Sequence, residues 1–193
     1  MNTTHIASTP ITEDGARFAE LYQREHSQVL RFIARRLNPQ DLSRAEDITH
    51  EAFLIAWRKL DELPRNANEA RAWLFTVARN CLLNDLRAGR KRADFHVNIS
   101  DDAAAHLLST PGHEGAAGQR IDLAAAWRGL DPEMQEVIAL QVWDGLTSTE
   151  AAKVLGISSA NYRIKLHRAK TAFRKALEPA NQTHRNPIAN FAY

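Results

Sequence analysis

The segment from Leu146 to Leu177 constrains this chain more than any other, because it predicts two helices joined by a tight turn. Thr147 and Glu150 have the spacing of a capping box and mark the start of the first helix. Gly156 ends that helix, since glycine adopts a positive φ without steric cost. Ser158 is then placed to cap the second helix through its hydroxyl.

The second of these helices has one apolar face and one basic face. Its apolar residues recur at steps of four and three, the period of an α-helix: Tyr162, Leu166, Ala169, Phe173 and Leu177. Basic residues occupy the other positions, and no Asp or Glu occurs from 151 to 177. A short helix, a glycine turn and a basic second helix predict a helix-turn-helix that reads DNA. A helical hairpin with a solvated basic face is the alternative, although solvated faces normally mix charges.

Composition excludes several other classes of protein. The 193 residues suffice for one domain or two small ones, and the net charge is only +2. The single cysteine, Cys81, excludes an internal disulfide and a cysteine-rich zinc site, which fits a cytoplasmic protein. No apolar run approaches membrane-spanning length, and the N-terminal residues do not have the pattern of a secretory signal.

Three amphipathic helices are predicted in the first half, over residues 14–37, 43–60 and 69–92. A second capping box, Ser43 with Glu46, marks the start of the middle helix. Its apolar stripe leaves an acidic face with an exposed leucine, formed by Glu46, Asp47, His50, Glu51 and Leu54. That face is either ordinary solvated surface or a docking site for a basic partner helix.

The third helix carries Cys81 on its apolar stripe, so we interpret this thiol as a small core residue and not as a nucleophile. Basic residues gather toward its C-terminal end: Arg79, Arg87, Arg90, Lys91 and Arg92. Cations there bind nucleic acid or simply complement the helix dipole.

The remaining sequence predicts an all-α protein with two small helical domains, 14–92 and 120–178. Residues 93–119 lack a period and contain proline and glycines, as a flexible linker would. Helices follow over 120–130 and 132–143, the latter with Asp131 as cap and Pro132 at its first position. Residues 1–13 and 179–193 are polar tails. Whether the two domains touch is left open.

Three segments, in this order, resemble an RNA polymerase sigma factor of the sigma-70 family, in its extracytoplasmic-function (ECF) group. AEDITHEAFLIAW resembles the segment that binds the polymerase β′ clamp, and RAWLFTVARNCLLNDLRAGRKR resembles the one that melts and reads the −10 element. LDPEMQEVIALQVWDGLTSTEAAKVLGIS resembles the region that reads the −35 element. The likeness covers residues 16–92 (region 2) and 120–178 (region 4), joined by the linker.

The resemblance implies a non-enzymatic, cytoplasmic transcription factor with no cofactor or metal. Its implied partners are RNA polymerase core (β and β′ subunits), promoter DNA and an anti-sigma factor, without membrane insertion. Core polymerase would be bound by Asp47, His50, Glu51 and Leu54. The −10 element would be bound by Asn66, Asn68, Arg79, Asn80, Arg87, Arg90 and Lys91. The −35 element would be bound by Ser159, Asn161, Arg163, Ile164, Lys165 and Arg168.

Some positions depart from the family pattern. His50 stands where the family usually has glutamine, and Asn84 where aspartate is common. The second helix of the helix-turn-helix, which would be the recognition helix, begins with Ala-Asn-Tyr at 160–162 where the family usually has Gly-Thr-Val. It also has Ile164 where the family usually has serine, so the promoter sequence does not follow from the family.

Two other function classes compete with this interpretation. A stand-alone helix-turn-helix regulator explains the C-terminal half but gives the N-terminal helices no role. An enzyme acting on nucleic acid would need paired carboxylates at a metal site, a glycine-rich phosphate loop or a Cys/His cluster, and none is present in the sequence.

Overall fold

The computed structural model describes residues 13–38, 40–88 and 123–183, and these are helical with no strand. The N-terminal module, residues 13–88, contains α1 (Glu13–Ala34), α2 (Leu42–Arg58), a 3-10 turn (Leu60–Glu62) and α3 (Ala67–Ala88). The three helices pack on one another through their apolar faces. Phe32 and Phe75 meet edge to face at the centre, with ring centroids 5.2 Å apart.

The C-terminal module, residues 123–183, begins with a helical segment over 123–128. It continues with α4 (Pro132–Val142), α5 (Ser148–Leu155) and α6 (Ser159–Thr183). Its core lies between these helices, where Trp127, Leu140 and Tyr162 are the large buried side chains. The prediction of an all-α protein with two helical modules is confirmed.

The predicted helix ends in the C-terminal module are present. Thr147 and Glu150 form a complete capping box, and Gly156 has a φ of 68°. The Ser158 hydroxyl accepts a hydrogen bond from the Asn161 amide at 3.2 Å. The Asp131 carboxylate caps α4 by accepting one from the Glu133 amide at 2.8 Å. These bonds satisfy amide groups that a helix leaves unpaired at its first turn, so the turn geometry follows from local sequence.

Two predicted boundaries are wrong. Helix α2 begins at Leu42, and its N-cap residue, Asp41, makes no side-chain capping bond. Ser43 therefore lies inside the helix and is not its cap. Arg44 lies 2.5 Å from Asp85 of α3, so a tertiary ion pair anchors this first turn. α6 continues past Pro179 to Thr183, although a tail was predicted to begin there. Proline removes one helical hydrogen bond, and here the helix continues beyond it.

The two modules are in contact, which the sequence left open. α3 packs against α5. The Arg71 guanidinium donates to the backbone carbonyls of Asp144 at 2.8 Å and Gly145 at 3.0 Å. Lys153 and Glu69 form an exposed ion pair across the same contact, with a nitrogen–oxygen distance of 3.7 Å.

Residues 1–12, 89–122 and 184–193 lie outside the described residues, so the predicted linker and most of both predicted tails lie there too. None of the described helices has an apolar stretch long enough to cross a membrane.

Candidate nucleic-acid and polymerase interfaces

The outer face of α2 combines acids with exposed apolar side chains. Asp47, His50 and Glu51 are exposed, as predicted. Leu54 is 47% exposed and Trp57, one turn further along, is 49% exposed. Trp57 was missed by the sequence analysis, although its spacing of three from Leu54 places it on the same face. The predicted polymerase surface is therefore an apolar pair bordered by carboxylates.

The asparagine loop before α3 is shorter than predicted. Leu63 is only 5% exposed and belongs to the core. The Asn66 side-chain oxygen accepts from the amides of Asn68, at 3.0 Å, and Glu69, at 3.2 Å, and so caps α3. Arg17 donates to the Leu63 carbonyl at 3.0 Å. Exposed Asn66 thus lies on a short loop that is fixed at both ends, and exposed Asn68 lies in the first turn of α3.

The predicted −10 residues on α3 separate into two groups. Asn80 and Arg87 are exposed seven residues apart, on one helix face, and Arg87 donates to the Asn84 side chain at 3.1 Å. Arg79 points instead to the C-terminal module, where its Nε lies 3.8 Å from a carboxylate oxygen of Glu136. Arg90 and Lys91 lie outside the described residues.

The helix α6, the predicted recognition helix, has one buried side and one exposed side. Tyr162 is fully buried, whereas Ile164 is 53% exposed. Asn161, Arg163 and Arg168 are also exposed, and neither arginine makes an ion pair within the described residues. Ser159 and Lys165 are half-buried.

Lys165 is the exception among the predicted −35 residues, because an acid of its own module neutralises it. Its ammonium lies 2.5 Å from the Glu133 carboxylate on α4.

A buried ion cluster between the modules was not predicted. The Arg36 guanidinium donates to Glu136 and to Asp144, each at 2.8 Å, and all three side chains are buried. Arg35 also contacts Asp144. Burial raises the pKa of Glu136, against the opposing effect of Arg36. For Arg36, burial alone would lower the pKa, but the two carboxylates reverse this and raise it.

Comparison with known proteins identifies the two modules. The Sigma-70 region 2 family profile matches residues 21–92, and the Sigma-70, region 4 profile matches residues 120–173. ECF RNA polymerase sigma factor SigL of Mycobacterium tuberculosis is 35% identical over 170 residues, covering 88% of this chain and 94% of SigL. The chain belongs to the ECF group of the sigma-70 family. The resemblance seen in the sequence is confirmed.

Other ECF and related sigma factors support the same family. RNA polymerase sigma factor NccH of Alcaligenes xylosoxydans xylosoxydans is 31% identical over 169 residues, covering 86% of this sigma factor and 89% of NccH. Among solved structures, CnrH in complex with the cytosolic domain of CnrY has a TM-score of 0.56 at 24% identity. That likeness covers 88% of this chain and 92% of CnrH, and it shows that the fold is shared.

The second solved structure is RpoE of Bartonella quintana in complex with the anti-sigma factor NepR. It has a TM-score of 0.52 at 20% identity and covers 84% of this chain and 95% of RpoE. The two family matches assign the N-terminal module of this sigma factor to region 2 and its C-terminal module to region 4. As a sigma factor, the protein acts in transcription initiation and binds DNA and RNA polymerase.

Proposed function

We propose that this sigma factor binds RNA polymerase core and reads a promoter in two ways, with region 4 on the −35 duplex and region 2 on melted −10 DNA. The observation that carries the proposal is the division of α6. Its inner face is core, while Arg163, Ile164 and Arg168 project outward without acidic partners among the described residues. Such a face suits a phosphate-lined groove.

Region 4 would place α6 in the major groove, which at about 12 Å wide admits a helix. Arg163, Lys165 and Arg168 would bind phosphates or base edges, and Ile164 would contact a thymine methyl group. Asn161 and Ser159 would bind base edges or phosphates near the start of the helix.

Region 2 would hold unpaired bases, which cost a few kcal/mol each to extrude, so its contacts must recover that energy. Asn66, Asn68 and Asn80 offer exposed amides that match base edges. The −10 backbone would be held by Arg79, Arg87, Arg90 and Lys91. This assignment predicts that Arg79 has to leave Glu136 when DNA binds.

Polymerase core would bind α2, and the β′ clamp would contact Asp47, His50, Glu51 and Leu54. The β subunit of the polymerase would complete the interface. Trp57 extends this surface. An acidic rim around an apolar centre fits a basic, partly apolar partner helix, because charge guides encounter and apolar burial supplies affinity.

We also infer an anti-sigma partner and a cytoplasmic site of action. Support comes from the two structural neighbours, one bound to the cytosolic domain of CnrY and the other to the anti-sigma factor NepR. The domains are proposed to span 14–92 and 120–178, with 93–119 as linker.

Run-off transcription with purified polymerase core and a promoter library tests the proposal. The wild type should initiate from a subset of promoters, and Asp47→Arg with Glu51→Arg should abolish core binding at unchanged helicity. Glu20→Arg with Asp61→Arg, at exposed acids outside α2, is the matched control and should bind core normally. Duplex binding without any polymerase-dependent transcription would favour a stand-alone regulator instead.

A further inference from the structure

The guanidinium of Arg36 joins the two regions at a point closed to water. Arg36 lies just beyond the end of α1, and its ion-pair partners are Glu136 of α4 and Asp144 of the turn before α5. The side chains of Arg36 and Asp144 have no exposed surface, and that of Glu136 is 4% exposed. The two acids are 100 and 108 residues from Arg36 along the chain.

Both acids are neutralised from the other region. Glu136 pairs with Arg36 and Arg79, and Asp144 pairs with Arg35 and Arg36, all of region 2. Within the described part of the chain, neither acid pairs with a cation of region 4. A buried carboxylate without a cation is strongly unfavourable, so as long as the regions are closed both acids depend on the arginines of region 2.

The closed arrangement conflicts with the proposed reading of two promoter elements, on which this inference rests. Centres of −10 and −35 elements are about 25 base pairs apart, which at about 3.4 Å per pair is roughly 85 Å of B-DNA. Regions in direct contact cannot occupy both. The connection from Arg92 to Arg120 has a contour length of about 90 Å, so its length does not forbid that separation.

We propose that Arg36, held between Glu136 and Asp144, locks regions 2 and 4 in a closed resting state that must open before both promoter elements are engaged. The lock includes Arg79, a proposed −10 contact, so −10 binding and closure compete for one guanidinium. Leu54, Trp57 and Ile164 stay exposed in the closed state. Polymerase or −35 DNA can therefore bind first, and opening follows.

An ion cluster suits a contact that must open. Separation returns its charges to water, which offsets much of the lost attraction, so the net stability of a buried ion pair is small. Removal of one partner leaves a buried charge uncompensated and penalises the closed state strongly. The contact is thus specific in its pairing yet reversible.

Cross-linking of the full chain measures closure directly. Glu69→Cys with Lys153→Cys replaces the exposed ion pair between α3 and α5 by two thiols that a short bismaleimide can bridge. Cys81 is buried and does not compete for the reagent. Cross-link yield should fall about tenfold or more when Asp144→Asn or Glu136→Gln is added.

Glu133→Gln is the matched control, since it makes the same chemical change on the same helix at an acid that is 66% exposed. It should leave the yield unchanged. Arg36→Met removes the cation from region 2 and should lower the cross-link yield as well. Because this change lies outside region 4, it controls for any damage that Asp144→Asn causes to the region 4 fold. Small-angle scattering should show expansion of the same variants at unchanged helicity. Equal yields and dimensions in Asp144→Asn, Arg36→Met and the control would overturn the lock.

Transcription then tests whether closure matters. The cross-linked protein should still bind −35 duplex, lose initiation from a two-element promoter by tenfold or more, and regain it when a cleavable cross-linker is cut. Undiminished initiation by the cross-linked form would overturn the proposal. A wild type inactive with core at every promoter would overturn the proposed function instead, while the cross-link yield would still decide whether the lock exists.

Discussion

The phenol of Tyr162 donates a hydrogen bond to the backbone carbonyl of Val137, 2.8 Å away, and so joins the recognition helix to α4. Tyr162 is fully buried, and burial raises its pKa because the phenolate would lose its hydration. Ile164, two residues further along, is exposed. The exposed side of α6, which we propose faces DNA, is therefore oriented by a residue on the opposite side.

Tyr162→Phe should lower the free energy of unfolding of the C-terminal module by about 1 kcal/mol, because the ring remains while the buried hydrogen bond is lost. Urea unfolding followed by circular dichroism measures this. Tyr22→Phe, at a tyrosine that is 36% exposed, is the control and should have little effect. A loss as small as that of the control would mean that the bond to Val137 contributes nothing.

Arg168→Ala should weaken −35 duplex binding by about 1–3 kcal/mol if the guanidinium binds a base edge bidentately. Transcription from a pre-melted −10 bubble should be nearly intact, since region 2 is unchanged. Lys175→Ala, at another exposed cation of α6, should lower affinity less and equally for all sequences. Fluorescence anisotropy with specific and scrambled duplexes separates the two effects. Equal losses on both duplexes would make Arg168 a phosphate contact only.

Asn80→Ala should remove the −10 base preference while sparing −35 binding. The side chain is exposed on α3, on the same face as Arg87, where an unpaired base would lie next to a held backbone. Competition between single-stranded −10 oligonucleotides in the polymerase holoenzyme measures the preference. Asn38→Ala is the control at an exposed asparagine outside α3. If Asn80→Ala weakened binding to the −35 duplex as much as binding to −10 oligonucleotides, the division of roles between the regions would be wrong.

Cys81 should react with iodoacetamide more than about a hundredfold slower in the folded protein than in concentrated urea at about pH 8. Burial raises the pKa of the thiol to about 11, and the nearby carboxylate of Glu51 adds to the effect. The thiolate is the reactive form, so the rate should keep rising as pH increases toward that value. Mass spectrometry at timed intervals follows the reaction. Rapid labelling of the folded protein would show that the thiol is accessible.

The helix-turn-helix was readable from the sequence because each of its signals is local. The capping box needs only Thr147 and Glu150, three residues apart, and the turn needs only the positive φ of Gly156. The apolar stripe separates buried Tyr162 from exposed Ile164 by the period of one helix. Cys81 was assigned to the core by the same rule.

One wrong boundary and one misplaced residue lie next to tertiary contacts. Ser43 and Glu46 have capping-box spacing, yet Arg44 pairs with Asp85 of α3 and α2 begins earlier. Leu63 stands in a loop sequence but is drawn into the core. Trp57 was missed although Leu54, three residues earlier on the same face, was found.

The sequence by itself determined that this is an ECF sigma factor with two helical modules, since periodicity, caps and motifs are properties of short segments. Only the tertiary structure decided that the modules touch and that Arg36 meets Glu136 and Asp144. Charged residues about a hundred positions apart share no period or spacing. Their pairing depends on where two separately folded surfaces come together, and local sequence patterns carry no information about that position.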